Sequence, residues 1–227
     1  MQVSMSSAAA VPFLTKAELA YARVRELVLT GALEPGSTLN QEMLARELGI
    51  STTPLREALG RLESEGLVEL GAHRDARVSP LTAEEARDLL ELRLSLDPLA
   101  ARLAAERRTD ADLEALDSAA AELRPLDHDP DVATLATHRR FHAAIYHASH
   151  NELLIETLDG LWDRADRYRR LALDITPKPE RRVRVAKEHA GLVLAIRRGL
   201  PDVAAELMRK HIDRGLGARA LRQLGDV

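Results

Sequence analysis

Residues 39–70 read LNQEMLARELGISTTPLREALGRLESEGLVEL, and the order of caps and apolar positions in this stretch decides the fold of the first half of the chain. Asn40 is a good N-cap; Met43, Leu44 and Leu48 follow on one helical face, and Gly49 ends the helix because glycine accepts the left-handed conformation. A second helix starts almost at once. Ser51 or Thr52 can cap it, Pro54 suits its first turn, and Leu55, Ala58, Leu59 and Leu62 recur at helical spacing and point inward. That leaves Arg56, Glu57, Gly60, Arg61 and Ser64 on the other face, the geometry of a recognition helix whose outer side enters a DNA major groove. Leu67, Val68 and Leu70 give a short strand, Gly71 to Asp75 a turn, and Ala76 to Ser79 the returning strand. The expected unit is a winged helix-turn-helix: three helices plus a β-hairpin wing.

Upstream, Lys16 to Thr30 carries Leu19, Ala20, Val24, Leu27 and Val28 at spacings of three and four, an amphipathic helix closed by Gly31. Residues 1–14 are expected to be a disordered N-terminus, which puts the DNA-binding domain at 15–80. Pro80-Leu81-Thr82 reads as a linker, because Thr82 followed by Glu84 and Glu85 starts a helix with acids where its dipole favours them. Beyond it no strand pattern occurs. Helices are expected at about 83–107, 110–123, 131–149, 151–173, 179–198 and 201–224. Six helices on short connections make residues 82–224 an antiparallel all-α bundle, so the fold class is mainly α.

Composition narrows the function. Hydrophobic residues are 45% and aromatics only 3%, which favours a helical core of Leu, Ala, Val and Ile. With no cysteine, disulfides and thiolate metal sites are excluded, and any metal must sit on nitrogen or oxygen ligands. No stretch resembles a signal peptide or a membrane span, so the expectation is a cytoplasmic protein without a membrane partner. The net charge is −4, and residues 1–80 hold 8 Lys plus Arg against 10 Asp plus Glu, about −2. Nucleic-acid binding therefore needs Arg46, Arg56, Arg61, Arg74 and Arg77 to converge on one surface, with a dimer doubling the phosphate contacts.

With the preceding GALEPGSTL and the following HRDARVSPLT, the 39–70 stretch resembles the DNA-binding domain of the GntR family of bacterial transcription regulators. The usual S-R-T-P-V-R-E-A-L pattern has Thr52 here in place of an arginine, and Glu42 stands where many members carry another arginine. Those two departures bear on DNA contacts and leave the fold intact. The resemblance implies double-stranded operator DNA as partner, with Arg46, Thr52, Thr53, Arg56, Arg61 and Arg74 as candidate contacts. Arg56 is the choice for a base or backbone contact and Arg61 and Arg46 for phosphates. Pairing with neighbouring acids on the helix surface is the plainer account of Arg56.

The chain has eight histidines. His138 and His142 are four apart, which puts both imidazoles on one helix face with Cβ atoms about 5–6 Å apart, close enough to share a metal ion. His189 and His211 lie at similar distances before and after the turn joining the last two helices, so a helical hairpin brings them level. Such pairs also arise as ordinary surface or core polarity. His73, His128, His147 and His150 have no comparable arrangement and read as wing, loop, partly exposed helix and turn.

The segments LRLSLDPLAARLAAE, HRRFHAAIYHASHNELL and EHAGLVLAIRRGLPDVAAELMRKHI resemble the FCD ligand-binding domain of the FadR-like branch of the same family. By that resemblance the metal positions are His138, His142, His189 and His211, with His138 departing from the usual aspartate or asparagine. Four neutral imidazoles favour Zn²⁺, Ni²⁺ or Co²⁺ over Mn²⁺ or Mg²⁺, with zinc first on availability. Arg93 matches an arginine that often lines the effector pocket, and an i,i+4 ion pair with Asp97 explains it equally well. The implied function is a ligand-responsive regulator, by family habit a repressor, working as a homodimer on a pseudo-palindromic operator and answering to a small organic acid. Two other readings stand beside it: a metal-assisted hydrolase built on the histidines, for which no well-placed general base is evident, and a bundle that only dimerises.

Overall fold

A computed structural model describes residues 14–71, 76–125, 132–171, 179–215 and 224. The chain begins with α1 (Lys16–Leu29), β1 (Thr38–Leu39), α2 (Gln41–Glu47), α3 (Thr52–Ser64), β2 (Val68–Leu70) and β3 (Ala76–Val78). Local chemistry accounts for the boundaries. Thr15 and Glu18 form a reciprocal capping box on α1, Asn40 Oδ1 accepts from the Met43 amide at 2.9 Å, and Gly49 turns the chain at φ 66°. Ser51 caps α3 by position alone, without a side-chain hydrogen bond. Leu55, Ala58, Leu59 and Leu62 are all buried against Val24, Leu44, Leu67 and Val78, as the spacing requires. Met43 is the exception on α2: it is exposed while Leu44 and Ala45 are buried, because a helix this short meets α3 along a narrow edge. The wing hairpin pairs Val68 with Val78 and Leu70 with Ala76, and β1 adds a third strand on the far side of β3, in the order β1-β3-β2. That strand is two residues long, too short to leave a period-two signal.

The second half is helical throughout its described residues: α4 (Ala83–Arg107), α5 (Asp110–Ala121), α6 (Val132–His147), α7 (Glu152–Leu171), α8 (Pro179–Arg197) and α9 (Pro201–Asp213). Caps again mark the starts, with Thr82 Oγ1 accepting from the Glu85 amide, Thr109 and Asp112 forming a capping box, and Asn151 accepting from the Leu154 amide. The expected last helix through residue 224 is corrected: α9 ends at Asp213 and the chain turns at Arg214 and Gly215, where glycine makes continuation costly. The bundle core is built around Phe141, Ile145, Tyr146, Leu158, Trp162, Leu192 and Met208. Inside α4, Pro98 has no amide hydrogen for the Leu94 carbonyl. Arg209 of α9 supplies the missing donor, its Nη1 lying 3.0 Å from that oxygen, and ties the two helices together.

α7 also joins the bundle to the winged unit. Arg25 of α1 makes a two-pronged contact with Asp163, which Arg139 of α6 grips from the other side. The next residue, Arg164, reaches Glu85 at the start of α4, with Nη2 2.6 Å from Oε1, and one turn beyond Asp163 the Arg167 guanidinium donates to the Ser79 carbonyl. No described helix is long and apolar enough to cross a membrane.

Candidate metal centre and effector cavity

Three of the four proposed imidazoles converge. His142 on α6, His189 on α8 and His211 on α9 each present a ring nitrogen, and these three atoms lie within 4.8 Å of one another. The rings of His142 and His211 are 5.3 Å apart and nearly parallel, and those of His189 and His211 are 4.8 Å apart. Two nitrogens of a tetrahedral zinc site, each about 2.0–2.1 Å from the ion, stand about 3.3–3.4 Å apart, so rotation of the rings that closes the widest pair by about 1.5 Å would fit the set to an ion. His142 and His189 are buried and His211 is half-buried, so the donors face a protected space.

His138 is the departure. Its ring lies 5.6 Å from that of His189, but its Nε2 is 2.7 Å from the Arg124 carbonyl oxygen. A carbonyl only accepts, so Nε2 carries the proton and is committed there. Among the described residues the mutually close ligand atoms are thus those of His142, His189 and His211, while His138, one turn nearer the α6 N-terminus, uses its Nε2 on the chain just past α5. Glu188, the neighbour of His189 on α8, accepts from His211 Nδ1 at 3.0 Å. Adjacent helical residues point about 100° apart, and here that direction is toward α9. A carboxylate on Nδ1 fixes the tautomer that leaves Nε2 of the same ring as a ligand atom.

The triad opens into a cavity of about 360 Å³ lined from α4, α5, α6, α7, α8 and α9. Arg93 lines it and makes the i,i+4 ion pair with Asp97, through Nη2–Oδ1 at 2.9 Å and Nε–Oδ2 at 3.2 Å. Asp97 is fully buried and accepts from the Tyr146 hydroxyl at 2.6 Å, while the Arg93 guanidinium stands 5.0 Å from the Trp162 ring. Burial opposes the Arg93 charge, yet Asp97 outweighs it and the net shift is upward. Exposed Arg124, Arg182, Arg184 and Arg214 surround the cavity, an arginine cluster drawn from separate chain segments that spacing alone did not reveal. Tyr168 on α7 lines the cavity, donates to Glu85 Oε2 at 2.5 Å and accepts from the Thr82 amide at 3.0 Å. Burial, then the bond to Glu85, pushes its hydroxyl up to about 12, so it remains a donor at neutral pH.

On the winged unit, Arg46, Thr53 and Arg56 are exposed and Thr52 is half-buried at the N-terminal end of α3. Arg56 Nε donates to Gln41 Oε1 at 3.2 Å, a neutral partner on α2 in place of a neighbouring acid. Arg61 is engaged within the unit: its guanidinium lies 3.7 Å from the Tyr21 ring centroid and its Nε 3.2 Å from Glu65 Oε1. Arg77 donates to the Gly36 carbonyl at 3.1 Å. Arg74, His73 and His128 lie outside the described residues.

A winged helix-turn-helix ahead of an all-helical bundle defines a class, the bacterial DNA-binding transcription regulators. The comparisons agree: residues 16–78 match the model for bacterial regulatory proteins of the gntR family, and residues 88–214 match the FCD domain. The chain belongs to the gntR family and is a DNA-binding transcription regulator with an FCD domain. It is 30% identical to the HTH-type transcriptional regulator McbR of Escherichia coli K12, over 80% of this chain and 84% of that one. To the Glc operon transcriptional activator of the same strain it is 29% identical, over 83% of each chain. The solved structure of E. coli McbR/YncC superposes with a TM-score of 0.77 over 93% of this chain and 99% of that one at 24% identity, a likeness of fold. These relatives are regulators, not enzymes, which sets the hydrolase reading aside.

Proposed function

We propose that the chain is a ligand-responsive regulator in which residues 82–224 bind a divalent transition metal and a small carboxylate effector and thereby adjust how residues 15–80 engage DNA. The single observation carrying this reading is the His142–His189–His211 triad at the wall of an arginine-edged cavity. Neutral imidazoles suit zinc first, with nickel or cobalt as alternatives. When bound, the ion would supply a positive centre for one carboxylate oxygen of the effector. Around it, Glu188 orients His211, and the Arg93–Asp97–Tyr146 chain holds the adjacent wall rigid.

The route to the DNA-binding unit is α7. Its Tyr168 meets both the cavity and the linker amide of Thr82, and its Asp163, Arg164 and Arg167 grip α1, α4 and Ser79. An effector acts only through different affinity for two arrangements of the winged unit, and this helix is where such a difference is felt. In the cytoplasm, a homodimer would present two α3 helices to the half-sites of a pseudo-palindromic operator, with Arg56, Thr52 and Thr53 near base edges and Arg46 near phosphates. Arg61, shared between Tyr21 and Glu65, contributes charge from a more constrained position. Repression is the simplest action for a protein that occupies an operator, although one relative is named an activator.

Metal analysis of the purified chain tests the reading. About one transition-metal ion per chain is expected, falling to background in His142→Ala and His189→Ala. A metal-free wild-type protein that still dimerises would leave the bundle a dimerisation module.

A further inference from the structure

We infer that the effector is an amphiphilic monocarboxylate, a single carboxylate on an apolar body, rather than a short hydroxy acid; this rests on the effector reading of the cavity. Volume is the first reason. At about 30 Å³ of liquid per water, the cavity holds about a dozen water-sized units, and lactate fills only about half of that. A ligand leaving half the space to water forfeits the dispersion contacts of the vacant walls.

The distribution of polarity is the second reason. The buried lining away from the histidines is apolar, with Leu89, Ala165 and Ile212, and half-buried Leu90 and Val193 continue it. Of the cations lining the cavity, Arg93 is paired with Asp97 and Arg184 lies 3.5 Å from Glu188; Arg181 is half-buried, while Arg124, Arg182, Arg184 and Arg214 are exposed. The exposed arginines attract an anion to the entrance. Inside, the polar groups are the imidazole triad, Arg93 and half-buried Arg181, and a second carboxylate against leucine and valine would lose its hydration without a partner. One charged end and one hydrocarbon end match this division.

The test is calorimetric titration of the full-length, Zn²⁺-supplemented protein with butyrate, hexanoate, octanoate and decanoate, alongside lactate, octan-1-ol and suberate. Dissociation constants are expected to fall about fourfold per added methylene until the cavity is full, about 250-fold between butyrate and octanoate. Octan-1-ol should bind at least about tenfold more weakly than octanoate, since it lacks the anionic end, and suberate no more tightly than octanoate. Lactate binding more tightly than octanoate, a series flat in chain length, octan-1-ol equal to octanoate, or suberate tighter than octanoate each overturns the proposal. In the lactate case the effector cavity survives and only its ligand class is wrong; if no acid binds at all, the effector reading falls as well. Ala120→Leu and Ala165→Leu, made separately so that one misfolding variant does not decide the matter, should move the tightest-binding acid to a shorter chain. An unmoved optimum in a variant with wild-type circular dichroism also overturns it.

Discussion

At the scale of single residues, the triad and its neighbours separate into ligands, orienters and wall. His138→Ala should retain the metal, because its Nε2 serves the Arg124 carbonyl, whereas His211→Ala should lose it; mass-spectrometric metal content of the two variants discriminates. Glu188→Gln keeps the shape but weakens the hold on His211 Nδ1, and a drop in metal affinity of about 10–100-fold in a chelator competition is expected. Arg93 is a poor residue with which to probe the effector directly. Removing it leaves Asp97 fully buried and without its cation, so Arg93→Ala should cost about 3–5 kcal/mol in urea denaturation, before any ligand is added. On the DNA side, Arg56→Ala should weaken binding to an operator selected from random DNA by about tenfold in gel shifts at fixed salt. Unchanged affinity would mean that the arginine serves only the α2–α3 packing it shares with Gln41.

At the scale of elements, α4 and α7 carry the arrangement. A proline in the middle of α4 survives because Arg209 of α9 caps the carbonyl that it orphans. Arg209→Ala should therefore lower stability by about 1 kcal/mol, with the increased exchange of nearby α4 amides locating the loss. α4 was legible in the sequence, its start marked by Thr82 and its span of about 83–107 as expected; the arginine that makes Pro98 tolerable lies over a hundred positions away and leaves no local trace. The same holds for α7, which spacing reveals as a helix. Nothing in its own residues says that Asp163 will face α1 or Tyr168 the linker, since those contacts depend on how it is rotated in the bundle.

For the whole molecule, the proposed effector response runs through the Tyr168 hydroxyl and the pairs around it. Tyr168→Phe removes the bonds to Glu85 and the Thr82 amide but leaves most of the ring's packing against Ala86 and Leu89. The variant should bind metal and operator as the parent does, while the change in operator affinity produced by the tightest-binding acid shrinks toward none. A coupling that persists at full size, measured by gel shift with and without that acid, would place the route elsewhere.

Sequence alone determined the elements whose causes are local: capping residues, apolar spacing and glycine stops act within a few residues of one another, and they were enough to mark the winged helix-turn-helix and the helices behind it. They also placed His142, His189 and His211 on helices able to meet. Only the tertiary structure decided that His138 turns to the Arg124 carbonyl, that Glu188 supports His211, and that arginines from several segments gather around one apolar cavity. Those outcomes depend on the rotation and depth of one helix against another, which the packing of the entire core sets and no short stretch encodes.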